Sequence, residues 1–206
     1  MSQDKEHAHI PEALLRKFNA KIAKLSKGEI IFRQGESASA FMMVKIGRVR
    51  MSTVNEQGKE FVQGYFEVGQ SFGEPPFFTR TSYPASAVAM TDCEIWKIGR
   101  RDFLRLLKED FNVHLAITES LSGRLEYKSM MLSELAVEEA EHRILTLLSY
   151  FREQEGRKDE PFHVPFSRQQ LADLSGLRVV TVIRTVKAME QKDLVSIDAA
   201  GKIVMR

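Results

Sequence analysis

The sequence predicts an α+β chain built in two parts: an antiparallel β barrel or sandwich, then a long helix and a small helical domain that ends in a two-stranded hairpin. Three observations carry this. Glycines at 28, 35, 47, 58, 69 and 73 punctuate short apolar runs; beyond residue 98 the apolar spacing changes from alternation to helical periodicity; and near the C-terminus a Ser-x-x-Gln box opens a helix that a glycine closes.

Between residues 22 and 98, stretches such as FMMVKIGRVRMSTV and EFVQGYFEV alternate between turns, which is the period of half-buried strands. The glycines in KGE, QGE, IGR, QGK, VGQ and FGE are expected at tight turns with positive φ, and NEQGKE at 55–60 reads as a hairpin tip. The stretch 73–87, GEPPFFTRTSYPASA, opens on a Gly-Glu pair and closes on small residues, a design that points backbone N–H groups at an anion. A buried anion also calls for a guanidinium or ammonium, and the single cation here, Arg80, stands in mid-stretch.

After residue 98, Phe103 to Leu107 form an apolar face at helical spacing. From Phe111 a long helix follows, with no proline and one glycine, Gly123. Thr118, Leu125 and Leu132 recur every seven residues, with Leu121 and Ser122, Lys128 and Ser129, and Leu135 and Ala136 between them. Such a seam is buried on its own β domain or on a second copy of the helix. Because it runs past what one small barrel covers, a parallel homodimer is expected. EEAE at 138–141 ends or hinges the helix, RILTLLSYF at 143–151 forms another, and a polar loop precedes Pro161. The expected domains are therefore 1–137, with the long helix over about 100–137, and 138–206.

In the second domain, Ser167 with Gln170 forms a capping box. Ala172, four residues before Gly176, has the spacing of a helix-turn-helix, in which a small residue lets the helices cross and the glycine makes the turn. The second helix of the pair spans 178–191. Val182, Val186 and Met189 are expected in the core, with Arg178, Val179, Val180, Thr181, Arg184 and Lys187 outward. That outward set suits a DNA major groove: Arg184 can donate two hydrogen bonds to a guanine edge, while Val179 and Val180 suit thymine methyls better than water. Arg178, Thr181 and Lys187, with Ser167, Arg168 and Gln169 on the preceding helix, are placed to hold phosphates. VSIDAAGKIVM reads as a two-stranded wing turning at 199–201.

Charge agrees with this placement. The net charge is only +2, from 30 basic and 28 acidic residues, yet 167–206 holds seven basic residues against four acidic, and 178–187 holds no acid. With Cys93 as the sole cysteine, an internal disulfide, a four-thiolate iron-sulfur cluster and a cysteine-based zinc site are excluded, and its DCEIW setting reads as inert core. His7, His9, His114, His142 and His163 are scattered without ligand spacing, so no metal is expected. No P-loop, GxGxxG or nucleophile motif points to an enzyme. No apolar run has the length of a membrane span, and a soluble cytoplasmic protein is expected.

A glycine-punctuated β-roll, an FGE turn, a long dimerisation helix and a winged helix-turn-helix, in that order, resemble the Crp/Fnr family of bacterial transcription regulators, from about Leu25 to Val204. The resemblance implies a cyclic-nucleotide-binding-like β-roll and a homodimer on a two-fold symmetric, palindromic site in double-stranded DNA. It also implies that effector occupancy of the roll changes how the two reading heads are presented, with RNA polymerase as a partner. The implied effector pocket is Gly73, Glu74, Arg80, Ser82 and Tyr83, with Lys128 and Ser129 on the long helix. Two departures matter. Cyclic-AMP-binding members end the cradle in Arg-Ser or Arg-Thr before an Ala, where this chain reads Tyr83-Pro84-Ala85; and the reading helix carries Val180 in place of the usual Glu while keeping Arg184. Cyclic AMP in the usual pose is therefore not expected, and the effector is an unidentified small molecule or none, with Arg80 or the Tyr83 ring filling the place of the missing arginine. His114, on the long helix, is a candidate haem ligand if the resemblance extends to gas-sensing members, and it reads more simply as a partly exposed helix residue. The alternative to a DNA-binding regulator is a ligand-binding or interaction module whose helix-turn-helix meets a partner protein.

Overall fold

The structure is a computed structural model that describes residues 10–58, 60–135, 139–154 and 161–205. It divides into two compact units, one ending at Ser122 and one beginning at Gly123. The boundary expected near residue 137 lies outside the described residues, as do Ala136, His7 and His9.

The first unit opens with helix α1 (Glu12–Lys17) and strands β1 (Lys21–Leu25), β2 (Ile30–Phe32), β3 (Ala40–Ile46), β4 (Val49–Val54), β5 (Glu60–Phe66) and β6 (Ser71–Phe72). A short helix α2 (Glu74–Thr79), strands β7 (Ser86–Ala89) and β8 (Cys93–Gly99), helix α3 (Arg100–Glu109) and the start of α4 (Phe111–Leu135) follow. Two antiparallel four-stranded sheets, ordered β1-β8-β3-β6 and β2-β7-β4-β5, face each other. This is the barrel or sandwich that the alternating stretches predicted.

Strand β3 departs from simple alternation, with Phe41, Met42, Met43 and Val44 all buried. Each face meets a different core. Met42 and Val44 point between the sheets with Phe32, Val49, Phe72, Tyr83 and Ile95, while Phe41 and Met43 lie beneath the helices with Trp96, Ile98, Phe103, Leu106 and Ile117. Short α1 adds Leu15, and Phe18 just beyond it, to the second core. Gly47 makes the β3–β4 turn at φ 91°, where a Cβ would stand 2.4 Å from the Asp92 carbonyl oxygen, so no side chain fits there.

The second unit holds the rest of α4, then α5 (Ala140–Gln154), β9 (Phe162–His163), α6 (Arg168–Ser175), α7 (Val179–Gln191), β10 (Ser196–Ile197) and β11 (Ile203–Met205). The wing is thus a three-stranded sheet, β10-β11-β9, one strand more than the sequence suggested. Its core gathers Ile144, Leu147 and Leu148 of α5, Leu171 and Ala172 of α6, and Val182, Val186 and Met189 of α7. Arg143 is buried at the same place and donates to the Ser175 carbonyl at 3.3 Å, tying α5 to the end of α6.

Candidate effector cradle and nucleic-acid interface

The cradle is built by one glycine. Gly73, at φ 75°, turns the chain from β6 into α2, and Pro75 and Pro76 are tolerated because the first helical turn needs no N–H donors there. The sequence had suggested only a turn, and the helix is hidden by its two prolines. Glu74 is buried and accepts a hydrogen bond from the Ser71 hydroxyl.

Tyr83, where the family resemblance implies an arginine, turns its ring inward. It is buried and stacks on Phe32 with ring centroids 3.7 Å apart at 12°, and a Cβ on Gly73 would lie 3.0 Å from its Cε1 atom. The Tyr83 hydroxyl has no hydrogen-bond partner among the described residues. Burial, with Glu36 and Glu74 adding to it, pushes the phenol from its ordinary value of 10 up to about 12, so it stays neutral at physiological pH. A cyclic phosphate needs an open space and a cation, and these residues offer neither, so they do not fit that group in the usual pose.

The remaining pocket residues are dispersed. Arg80 caps α2 in the left-handed region at φ 60° and is exposed. With Ser82 it lines an open depression shared with Ser37, Thr81 and Arg100, on the outside of the roll. Arg100 spends its guanidinium on the Phe77 carbonyl and ring. Lys128 and Ser129 belong to the second unit, where both are exposed on α4.

Helix α4 carries two faces. Val113, Ile117 and Leu121 pack into the first unit's helical core, and Tyr127, Met130 and Met131 into the second unit's. Leu121, expected in the heptad seam, therefore serves its own domain instead. Phe111, Leu115, Thr118, Ser122, Leu125, Ser129 and Leu132 are exposed along one stripe, a seam that begins one heptad earlier than the sequence reading placed it. Phe111, Leu125 and Leu132 are 72%, 67% and 70% exposed. His114 is exposed beside Phe111.

The helix-turn-helix follows from its caps. Ser167 Oγ accepts from the Gln170 N–H at 3.2 Å, and Gln170 Oε1 accepts from the Ser167 N–H at 2.9 Å. Gly176, at φ 69°, ends α6 and releases the chain into α7. The three expected core residues of α7 are fully buried, and Thr185 joins them. Val179, expected outward, is half-buried against this core. The outer face instead includes Ile183, which the sequence reading missed although it lies one helical turn beyond Val180.

Charge on this face is sorted by local hydrogen bonds. Asp173 accepts from Gln169 at 2.9 Å, Glu190 accepts from the Ile197 N–H at 3.1 Å, and Asp198 accepts from the Ala200 and Lys202 N–H groups. The acids are thereby engaged beside the reading face. Arg168 is half-buried and donates to the Gly201 carbonyl at 3.3 Å, stapling α6 to the wing turn; burial lowers its pKa against the pull of Glu190. Arg178, Arg184 and Lys187 have no ion-pair partner among the described residues, and Arg178, Arg184 and Lys187 are exposed. Among the described residues there is no group of side chains able to hold a metal ion, and no helix long and apolar enough to cross a membrane.

A β-roll with a glycine-helix turn, followed by a winged helix-turn-helix whose outward cations have no ion-pair partner among the described residues, defines a class: two-domain proteins that carry a β-roll and a DNA-reading head on one chain. Residues 22–110 match the cyclic nucleotide-binding domain family, and residues 142–206 match the Crp-like helix-turn-helix domain family. The chain is 30% identical over 170 residues to the cyclic AMP receptor protein of Thermus thermophilus, covering 82% of this chain and 76% of that protein. It is 28% identical over 178 residues to the cAMP-activated global transcriptional regulator CRP of Haemophilus influenzae, covering 85% of this chain and 79% of that one. Among solved structures, OCPA-complexed CprK has the same fold, with a TM-score of 0.77 at 18% identity over 96% of this chain and 90% of that chain. The chain belongs to the Crp/Fnr family of DNA-binding transcription regulators.

Proposed function

We propose that the protein is a homodimer that binds a palindromic operator through α7, with Arg184 reading a guanine and Arg178, Thr181 and Lys187 holding phosphates. The observation that carries this reading is the acid-free outer face of α7, whose three cations are left unpaired while the neighbouring acids are engaged elsewhere. The exposed seam of α4 supports the dimer, since large apolar side chains at heptad spacing are covered by a second copy at little cost. Ser167 and Gln169, exposed at the start of α6, hold the flanking backbone, while Arg168 positions the wing.

In this reading the protein is cytoplasmic, performs no catalysis and meets RNA polymerase on its promoters. Its signal is not cyclic AMP in the usual pose, because the Tyr83 ring fills the cradle. Selection of bound sequences from a random DNA pool, with and without added cyclic nucleotide, tests these points together. The expected result is a two-fold symmetric site, recovered equally in both arms, whose affinity falls steeply with salt as several phosphates are neutralised. Salt-independent binding, or an unchanged sequence preference in Arg184→Ala, would refute the role given to α7 and leave a protein partner as the alternative.

A further inference from the structure

Two large β-branched side chains stand in water on the reading helix. Val180 is 72% exposed and Ile183 is 49% exposed, in a helix whose core positions are fully buried. Burying either against its own domain was open to the sequence, since Val179 and Val186 on the same helix are so placed. Isolated exposed apolar residues are ordinary on protein surfaces, but these two are neighbours at i and i+3, and Arg184 neighbours Val180 at i+4. Neither side chain can donate or accept a hydrogen bond, so neither can read the polar edge of a base.

We infer that Val180 and Ile183 form an apolar reading pair for the C5-methyl groups of thymines, so that each half-site places two thymines beside the guanine read by Arg184. This rests on the reading that α7 enters the major groove. In that groove the thymine methyl is the one apolar group a base pair presents, and it is absent from the other three bases. The spacing agrees: three residues of helix rise about 4.5 Å, while successive base pairs rise about 3.4 Å. The two side chains therefore span one to two base steps, and the Arg184 guanidinium, on the other side of Val180 around the helix, reaches an adjoining pair. Ile183 sets specificity in this arrangement, a role its sequence neighbours Val182 and Arg184 obscure because one is core and the other charged.

Uracil differs from thymine in the groove only by lacking that methyl, which makes it the direct probe. The full-length protein is first given its selected operator, and each thymine of one half-site is then replaced singly by uracil. Replacement at two positions is expected to weaken binding about fourfold each, the weight of burying one methyl group; the other positions should change little. Val180→Ala and Ile183→Ala should each weaken binding to the thymine duplex by a similar factor, and each should lose sensitivity to uracil at one of the two positions. Both substitutions lie on the exposed face, and an unchanged salt slope shows that the variant still folds and docks. If uracil is accepted at every thymine, or if Ile183→Ala keeps the full uracil response, the methyl-reading pair is overturned while operator binding stands. If no salt-sensitive DNA binding is seen at all, the role of α7 in DNA binding fails, and the inference fails with it.

Discussion

Replacing Tyr83 by Phe should stabilise the β-roll. The hydroxyl is buried between the sheets without a partner, whereas the ring supplies the contacts with Phe32 and Gly73. Removing an unsatisfied buried hydroxyl returns its desolvation cost, about 1–3 kcal/mol, and sacrifices only the dispersion contacts of one atom. A net gain of about 1 kcal/mol follows, which for a urea slope of about 2 kcal/mol per molar raises the unfolding midpoint by about 0.5 M. Trp96 is the only tryptophan and is buried in the roll's helical core, so its fluorescence reports this unit alone. The titration of Tyr83 supplies a second readout. Its folded-state value of about 12 lies above the ordinary 10, so its contribution is complete below pH 10 and is lost as pH rises from 10 through 12. Tyr83→Phe should flatten that part of the wild-type stability curve. A lower midpoint at neutral pH would refute the reasoning, since it would mean that the hydroxyl has a partner.

Three further outcomes follow from other sites. Gly73→Ala forces a Cβ to within 3.0 Å of the Tyr83 ring at φ 75°, so the roll should lose about 2–4 kcal/mol by the same fluorescence assay. Ser167→Ala removes the cap of α6 and should cost about 1 kcal/mol, seen as a fall of about 4–8 °C in the melting of the second unit by circular dichroism. A double substitution, Leu125→Asp with Leu132→Asp, puts like charges into the exposed seam, and sedimentation should then show a monomer that no longer binds the full palindrome while its roll unfolds as in the wild type.

Much of the fold was legible because it rests on local chemistry. All six glycines read as turns in the first unit have positive φ, and the Ser167–Gln170 box with Gly176 starts and stops α6 where the sequence placed them. The uneven parts have tertiary causes. Leu121 and Ser122 are equal candidates for the seam until the β-roll claims Leu121, and Val179, expected outward, packs against the second unit's core while Ile183, given no place by the sequence, stands exposed. Helix α2 could not be read through two prolines, and β9 is a two-residue strand whose pairing with β11 spans some forty residues of sequence. The absence of a cradle arginine was plain from Tyr83-Pro84-Ala85. That the Tyr83 ring is buried while Arg80 is exposed depends on Phe32, far away in sequence, providing a stacking partner.

The tyrosine plug also sets a concentration threshold for any molecule that enters the roll by the same route. The incoming molecule competes with a side chain already tethered in place. If withdrawing the ring costs about 2 kcal/mol of apolar burial, the open form is about 3% of the population and the apparent dissociation constant is about thirty times the intrinsic one. Such a molecule would need about thirty times the concentration that an already open roll of the same intrinsic affinity requires.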